Sequence, residues 1–443
     1  MAQTASSLQA LKHHITSTRV TYNRSIYSRG LNFQGQVGIS NNYNYQHHYV
    51  PVPRLQNLSL ARLDTDHSQN FAVLRNAESQ YDSLLFWGWP LCTRTTYRFI
   101  EHYEKVPRIV RGIQKLTPFF KSGTKEPILD STFNKGRIAK VGLGCGFMSV
   151  VDEEGRVFSW GDNYAGQLGL GDDIHREQPT LLQTLADQVI VDVSSGFQHC
   201  AYLNDKGTVF GIGKNNRFQL GKRKNEDQIN QEIFDKYQGA VEIPHTYFNG
   251  EAIKQVACGK FHTLFLTVTG KLYATGFNKY GQCGVSNSLY VHVEEPVQVY
   301  TDGMRVEEIS SGWHHTLLRG EDGQLYGFGA RMNGQLDGTN HDGREEQCSI
   351  HQIKLPFTQK IKSFKAQNLR SYSITEDDQV WFWGGYYYNQ YQKLCIEGFN
   401  LLNEEEGLPK DKKIVEYGMG FAHDTVMIEE ESPVVKEVKI DTQ

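Results

Sequence analysis

The sequence lacks the local motifs that mark the common classes of enzyme and metal site. It contains no G-x-x-x-x-G-K-[ST] phosphate loop, no H-E-x-x-H zinc motif and no G-x-S-x-G nucleophile turn. Its seven cysteines are odd in number and form no C-x-x-C pair, which argues against a zinc site or a disulfide framework. These absences predict a protein that is not an enzyme and that holds neither a cofactor nor a metal ion.

Long apolar runs and an excess of positive charge are also missing. No stretch approaches the roughly 18 apolar residues of a membrane-spanning helix, so we expect no span, and any membrane association would be peripheral. The 443-residue chain carries a formal net charge of −4. It therefore has no overall basic field that would attract nucleic acid, and no nucleic-acid partner is expected.

Acidic residues are absent from the start of the chain, where Asp64 is the first of them. Basic residues are present there, and Leu8, Leu11 and Ile15 recur at the spacing of one helical face. An amphipathic, acid-free segment that contains Arg and Ser is typical of a mitochondrial import signal. We predict a basic, mitochondrial-targeting arm at 1–24; the alternative is a basic arm without that role. A charged tail is expected at 431–443.

Glycine, by contrast, recurs at a fixed interval. A glycine that ends a V/I-x-x-G segment is followed seventeen residues later by a second glycine. The four pairs are Gly144 and Gly161, Gly196 and Gly213, Gly259 and Gly276, and Gly312 and Gly329. A third glycine always stands eleven residues after the first, in a polar turn where a hairpin needs a positive φ. Such a repeat, alternating like strands, predicts the blades of a β-propeller.

The segment that closes the first copy has a specific sequence, Trp-Gly-Asp-Asn-Tyr-Ala-Gly-Gln-Leu-Gly at 160–169. With the glycine spacing, it resembles the regulator of chromosome condensation repeat, and the resemblance covers most of the chain. The resemblance implies a seven-bladed propeller. Members of that family include a nuclear exchange factor for the GTPase Ran and mitochondrial proteins, and this chain looks most like a mitochondrial member.

Seven blades can be counted across residues 25–430. Besides the four pairs, Gly88 and Gly384 end two degenerate blades. The segment 25–38, with Gly30, matches the end of a blade, whereas 414–430, with Gly420, supplies only its first two strands. We therefore predict an all-β, seven-bladed propeller closed by a composite blade from both termini, which leaves no open sheet edge.

Histidines recur three residues after the first glycine of several copies. They are His199, His262, His315 and His423. The repeat spreads them around the ring, so they cannot converge on one ion, and we predict that each bridges backbone groups of its own or the adjoining blade. Phe147, Leu74 and Arg370 are expected to take this place in the other blades.

The candidate partner-binding residues lie in segments that interrupt the repeat. Two insertions are predicted, at 98–137 and 222–250, and the first contains Arg111, Phe119 and Phe120. A tyrosine run, Tyr386, Tyr387 and Tyr388, follows the blade that ends at Gly384. Arg and aromatic residues are common interface anchors. The alternative for the tyrosines is that they fill gaps between degenerate blades.

Three functions remain open from the sequence. The leading prediction is a non-catalytic, protein-binding propeller, an accessory or scaffold subunit of a large mitochondrial assembly such as a respiratory-chain complex or the mitoribosome. It would lie in the matrix or on the matrix face of the inner membrane. The first alternative is a guanine-nucleotide exchange factor for a small GTPase, and the second is an RNA- or chromatin-associated factor. Both alternatives allow a cytoplasmic or nuclear location.

Overall fold

A computed structural model describes residues 23–31, 45–52, 55–66, 69–75, 82–88, 128–130, 136–221, 236–339, 346–388, 393–395, 398–402, 407–409, 412–420 and 423–430. These residues form thirty strands, and their helical structure is confined to the 3₁₀ turns Gln183–Leu185 and His245–Phe248. The strands make seven four-stranded sheets and one two-stranded hairpin. The predicted all-β propeller is confirmed. No helix in the described ranges is long and apolar enough to cross a membrane.

Six sheets are each made from strands close in the chain, with the innermost strand first. The first contains β3 (Leu60–Asp66), β4 (Gln69–Arg75), β5 (Asp82–Gly88) and β6 (Ile128–Asp130). The second contains β7 (Ile138–Gly144), β8 (Phe147–Asp152), β9 (Val157–Gly161) and β10 (Arg176–Leu181). The third contains β11 (Ile190–Ser195), β12 (His199–Asn204), β13 (Val209–Lys214) and β14 (Lys236–Ile243).

The remaining three follow the same order. The fourth contains β15 (Ile253–Cys258), β16 (His262–Thr267), β17 (Leu272–Phe277) and β18 (His292–Gln298). The fifth contains β19 (Val306–Ser311), β20 (His315–Gly320), β21 (Leu325–Ala330) and β22 (Glu346–Gln352). The sixth contains β23 (Ile361–Gln367), β24 (Arg370–Thr375), β25 (Val380–Gly384) and β28 (Asn400–Leu401), and the hairpin β26 (Tyr386–Tyr388) and β27 (Lys393–Cys395) precedes its last strand.

The seventh sheet joins strands from the two ends of the chain. It contains β1 (Arg24–Leu31), β2 (Tyr45–Pro51), β29 (Lys413–Met419) and β30 (His423–Glu429). Strand β1 runs antiparallel to β30, with Ser28 opposite Thr425 and Ser25 opposite Ile428. This is the pairing expected from two segments that each lack the strands the other supplies.

The repeat glycines are required where backbone or a ring approaches too closely for a side chain. Gly276 has φ 111°, and a Cβ built there would lie 2.6 Å from the Phe261 carbonyl oxygen. At Gly312, a Cβ would lie 2.3 Å from Cε1 of His315, because the imidazole covers the glycine. The two glycines seventeen residues apart therefore occupy positions at the same end of a hairpin where a close contact excludes a side chain.

The core consists of apolar layers between neighbouring sheets. One layer joins the third and fourth sheets through Val191, Ala201, Val256 and Phe265, all buried. Another joins the sixth sheet to the seventh through a set that includes Tyr372, Phe382, Tyr417 and Val426. The fourth sheet, which contacts the third through one apolar layer and the fifth through another, buries its middle strands β16 and β17 almost completely.

Two details of the sequence prediction need correction. The predicted insertion 222–250 is too long, because Lys236–Ile243 is the outer strand β14, hydrogen-bonded to β13. Gln69, not Leu74, holds the repeat position in the first sheet, since Gln69 pairs with Gly88. The spacing misled there because the β4–β5 hairpin is longer than in the four regular copies. Of the other predicted insertion, 98–137, residues 98–127 and 131–135 lie outside the described residues, and 128–130 form β6.

Candidate protein-binding face

The loops that join each innermost strand to the next strand, here called the inner loops, are linked to one another by backbone hydrogen bonds. The amide of Cys145 donates to the carbonyl of Phe197 (3.2 Å), and that of Phe197 donates to Lys260 (3.3 Å). The amide of Lys260 donates to Trp313 (3.2 Å), and that of Trp313 donates to Asn368 (2.7 Å). Five consecutive sheets therefore present the residue after the first repeat position, which is glycine in four of them and Gln367 in the sixth sheet, along one continuous rim.

Lys260 lies on this rim among three aromatic rings. Its Nζ is 4.3 Å from the ring centroid of Trp313, 5.0 Å from that of Phe197 and 5.5 Å from that of Phe261. No carboxylate of the described chain lies within 4.0 Å of it. Burial lowers the pKa of Lys260 from its usual value. The ammonium group is thus stabilised by ring faces and lacks a counter-ion in the described structure.

A second cation stacks on the same surface. The guanidinium of Arg217 lies 5.2 Å from the ring centroid of Phe277, and its Nη1 donates to Nε2 of His292 (3.1 Å). Burial and the nearby Arg217 lower the pKa of His292, so the imidazole is neutral and accepts this bond. Phe261 connects the two cations, with ring centroids 6.4 Å from Phe277. We call the whole set the cationic aromatic face: Phe197, Arg217, Lys260, Phe261, Phe277, Tyr280, His292, Trp313 and His314.

Three consecutive apolar side chains are exposed beside this face. Leu289, Tyr290 and Val291 are 75%, 52% and 51% exposed, and they immediately precede His292. Their backbone is held in place by Asn278, whose amide N–H donates to the Val291 carbonyl and whose Nδ2 donates to that of Tyr290, both at 2.8 Å. The loop is therefore fixed with its large side chains turned to solvent.

A cavity of about 300 Å³ lies below the rim, lined by the innermost strands of six sheets. Its charged groups are mostly paired. Nζ of Lys140 is 3.4 Å from Oδ1 of Asp192, and Nζ of Lys365 is 3.0 Å from Oδ1 of Asp64. Although burial opposes it, Lys365 helps to lower the pKa of Asp64. Lys260, which also lines the cavity, differs from these lysines in having no such partner.

The imidazole of each repeat histidine contacts a side chain of another sheet. Nε2 of His199 lies 3.1 Å from Oγ1 of Thr263, and Nε2 of His315 lies 2.9 Å from Oγ of Ser371. His262 contacts Ser311 (2.9 Å). Likewise, His423 contacts Asn70 (3.0 Å). In each case the partner belongs to the next sheet.

Burial keeps the imidazoles of His199, His262 and His315 neutral. It lowers the pKa of His199 and His315 to about 3 and that of His262 well below its usual value. The hydroxyl of Ser371 donates to the Gln335 carbonyl (2.8 Å), so Nε2 of His315 must be the donor to Ser371. No group of three His, Cys, Asp or Glu side chains in the described ranges is arranged to hold a metal ion. These histidines therefore act as inter-sheet links.

The residues predicted to bind a partner are not those that form this face. Arg111, Phe119 and Phe120 lie outside the described residues. Tyr386–Tyr388 form β26 of the two-stranded hairpin. The sequence analysis missed Lys260, Trp313 and Arg217. A usable signal was present, since Phe197, Lys260 and Trp313 all follow the first repeat glycine directly.

A family model described as the RCC1-like domain matches residues 115–426. The chain belongs to the RCC1-like domain family. The Ultraviolet-B receptor UVR8 of Arabidopsis thaliana is 32% identical over 249 residues, which cover 56% of this chain and 53% of UVR8. Human Protein RCC2 is 26% identical over 53% of this chain and 47% of its own length. The chain thus spans about half the length of these curated relatives.

Solved structures agree on the fold of this RCC1-like protein. Yeast RCC1 (Prp20), crystallised with Kap60, superposes with a TM-score of 0.71 at 18% identity, covering 95% of this chain and 92% of that one. Human WBSCR16 gives a TM-score of 0.68 at 16% identity, covering 92% of this chain and 100% of that one. At these identities the likeness establishes the propeller fold alone.

Proposed function

We propose that this RCC1-like propeller is a non-catalytic, protein-binding module and that the cationic aromatic face is its docking surface. One observation carries the proposal: Lys260 and Arg217 are stacked on aromatic rings, and neither has a carboxylate within ion-pair distance in the described chain. Arg and aromatic residues are enriched among the residues that contribute most to protein interfaces. The adjacent exposed Leu289 and Tyr290 add an apolar anchor.

We propose further that the seven sheets are the blades of one closed ring. Two contacts between the sixth and seventh sheets support closure. Nδ2 of Asn368 donates to the Met419 carbonyl (3.2 Å), which continues the series of inner-loop contacts. Arg370 also forms a buried ion pair with Asp424. A closed ring gives the face a rigid support, which limits the entropy lost when a partner binds.

The location and the assembly rest on sequence alone. An acid-free residue range 1–24 supports import into mitochondria, where the module would be an accessory subunit of a large complex. The yeast propeller Prp20p, which has this fold, binds Gsp1p and histones, so the fold serves protein partners. Fractionation of cells expressing a tagged chain tests the location. Recovery outside mitochondria would contradict it.

The docking face is tested by charge reversal at Arg217 and Lys260 together. We expect the double Glu variant to migrate as a free chain of about 50.5 kDa in size-exclusion of a native extract, whereas the wild type migrates with a large assembly. Lys206→Glu is the matched control, since Lys206 is exposed in the β12–β13 turn at the opposite end of the strands. Equal migration of wild type and double variant would refute the docking role.

The exchange-factor alternative predicts that the purified chain speeds nucleotide release from a small GTPase. Our proposal predicts no acceleration against matrix or nuclear GTPases. No catalytic arrangement of described residues favours the alternative. If the wild type accelerates nucleotide release and the charge-reversed Arg217 and Lys260 double variant does not, the exchange-factor function would replace the scaffold function.

A further inference from the structure

We infer that the segment that docks on the cationic aromatic face is an acidic stretch of a partner protein that also carries a large apolar side chain. The inference rests on the proposed docking function and specifies the chemistry of its partner. It follows from two cations of this face, Lys260 and Arg217, that lie on aromatic rings and have no carboxylate of the described residues within ion-pair distance.

The contrast appears when the lysines that line the cavity are compared. Lys140 has Asp192 at 3.4 Å, and Lys365 has Asp64 at 3.0 Å. Lys260 lines the same cavity, and its ammonium group lies over ring faces with no carboxylate of the described residues within ion-pair distance. A partly buried ammonium without a counter-ion loses hydration that the rings replace only in part. A carboxylate from a partner would supply the missing counter-ion and compensate for the lost hydration.

The two cations are placed so that one segment can contact both. A row of contacts joins them across two inner loops, the end of β17 and the segment after β13. In order, its members are Trp313, Lys260, Phe261, Phe277 and Arg217. Centroid and charge separations along this row are 4.3, 5.5, 6.4 and 5.2 Å. A row of this length suits an extended peptide, whose successive same-side residues are roughly 7 Å apart.

The apolar requirement comes from the loop that borders the Arg217 end. Leu289, Tyr290 and Val291 precede His292, which Arg217 contacts directly. Their backbone is fixed by Asn278, so ordering the loop adds little entropic cost on binding. An apolar side chain of the partner would cover them while its carboxylates meet Arg217 and Lys260.

Cations on aromatic rings also bind single-stranded nucleic acid, and the observations favour a peptide instead. The rings here pack edge-on against one another, as Phe261 does against Phe197 and Phe277, so few faces are open for base stacking. The exposed side chains of Leu289 and Val291 have no donor for a phosphate, and the net charge of −4 opposes a polyanion.

The test is selection of a random-peptide display library on the full chain, followed by Kd measurement of the enriched peptides as labelled synthetic probes. We expect enriched sequences to combine Asp or Glu with Leu, Ile or Phe. Lys260→Met and Arg217→Met should each weaken them by at least about tenfold, and Lys260→Arg should restore binding. Leu289→Ser should also weaken them, and because this side chain is 75% exposed the change leaves folding intact. Lys206→Met should have no effect.

Three outcomes would overturn the inference: neutral or basic enriched sequences, equal Kd values for wild type and Lys260→Met, or no enrichment at all. Binding of a labelled oligouridine that competes for Lys260 would overturn it in favour of nucleic acid. If the charge-reversed double variant still leaves the large assembly while the peptides show no acidic preference, the docking function stands and only the partner chemistry fails.

Discussion

Replacing His315 by phenylalanine should make the protein less stable near neutral pH and more stable than wild type in mild acid. The ring has room, because Phe147 occupies the equivalent position in the second sheet and lies over Gly144 as His315 lies over Gly312. The change removes the Nε2 bond to Ser371, whose hydroxyl keeps its bond to the Gln335 carbonyl. At pH 7 we expect a loss of about 1 kcal/mol in the free energy of unfolding.

The difference in unfolding free energy between the variant and the wild type reverses its sign in acid, because burial lowers the pKa of His315 from 6.5 to about 3 in the folded chain. Between these values the unfolded chain binds a proton that the folded chain does not, so stability falls as pH falls below about 6.5. The slope is about 1.4 kcal/mol per pH unit for one histidine, which gives about 2 kcal/mol by pH 5. Phenylalanine has no proton to bind, so the variant escapes this loss and should exceed wild type at about pH 5.

Urea unfolding followed by tryptophan fluorescence at pH 7, 6 and 5 measures the effect, with free energies taken by linear extrapolation. Ser371→Ala is the matched control: it removes the same bond and keeps the histidine, so its deficit relative to wild type should not narrow in acid. A gap between His315→Phe and wild type that stays constant from pH 7 to 5 would refute the claim that His315 is buried as a neutral group.

Three further outcomes test the packing. Asp424→Asn should lower the free energy of unfolding by about 3–5 kcal/mol, since it removes the charge of a buried carboxylate that contacts both Arg29 and Arg370. The exposed Asp173→Asn should leave the denaturation midpoint unchanged, and similar midpoints for the two variants would contradict this reasoning. Gly276→Ala should lower the Tm far more than Gly303→Ala. Both glycines have a positive φ, but of the two only Gly276 has backbone atoms within 3 Å of the position that a Cβ would take. An equal decrease in Tm for the two variants would contradict the close contact. Deleting residues 1–40 removes β1 and should cause aggregation by exposing the edge of β30, and a soluble truncation with unchanged Tm would refute closure by both termini.

The fold could be predicted because its cause is local and repeated. A ring over Gly312 and a carbonyl against Gly276 exclude any side chain, so glycine spacing alone locates hairpins. Where another residue can adopt the same backbone conformation, the turn is kept although the glycine is replaced. Asp378 adopts φ 61° at the turn of the sixth sheet, where the regular copies have glycine. The longer β4–β5 hairpin changed the interval, and Gln69 was missed for that reason.

The site was harder to predict because its residues are not fixed by the repeat. Lys260 and Trp313 stand at the same repeat position in adjacent sheets, yet nothing in one copy indicates that the neighbouring copy places its ring over the ammonium group. That contact depends on the backbone bond from Lys260 to the Trp313 carbonyl, which joins residues fifty-three positions apart. Contacts between sheets depend on how neighbouring sheets pack, which periodicity within one sheet does not describe.

The backbone bond between Lys260 and Trp313 also explains how the propeller can present a candidate docking face on its inner loops. Along the rim, inner-loop positions are occupied by Cys145, Phe197, Lys260, Trp313 and Asn368, five chemically different residues. Each joins its neighbour through backbone N–H and carbonyl groups, which any residue but proline supplies. Because these links require only backbone groups, the side chains at the rim positions can vary. In the four regular copies the preceding glycine is covered by the ring three residues later and has no room for a side chain, so the variable residue lies next to the closest contact of the sheet.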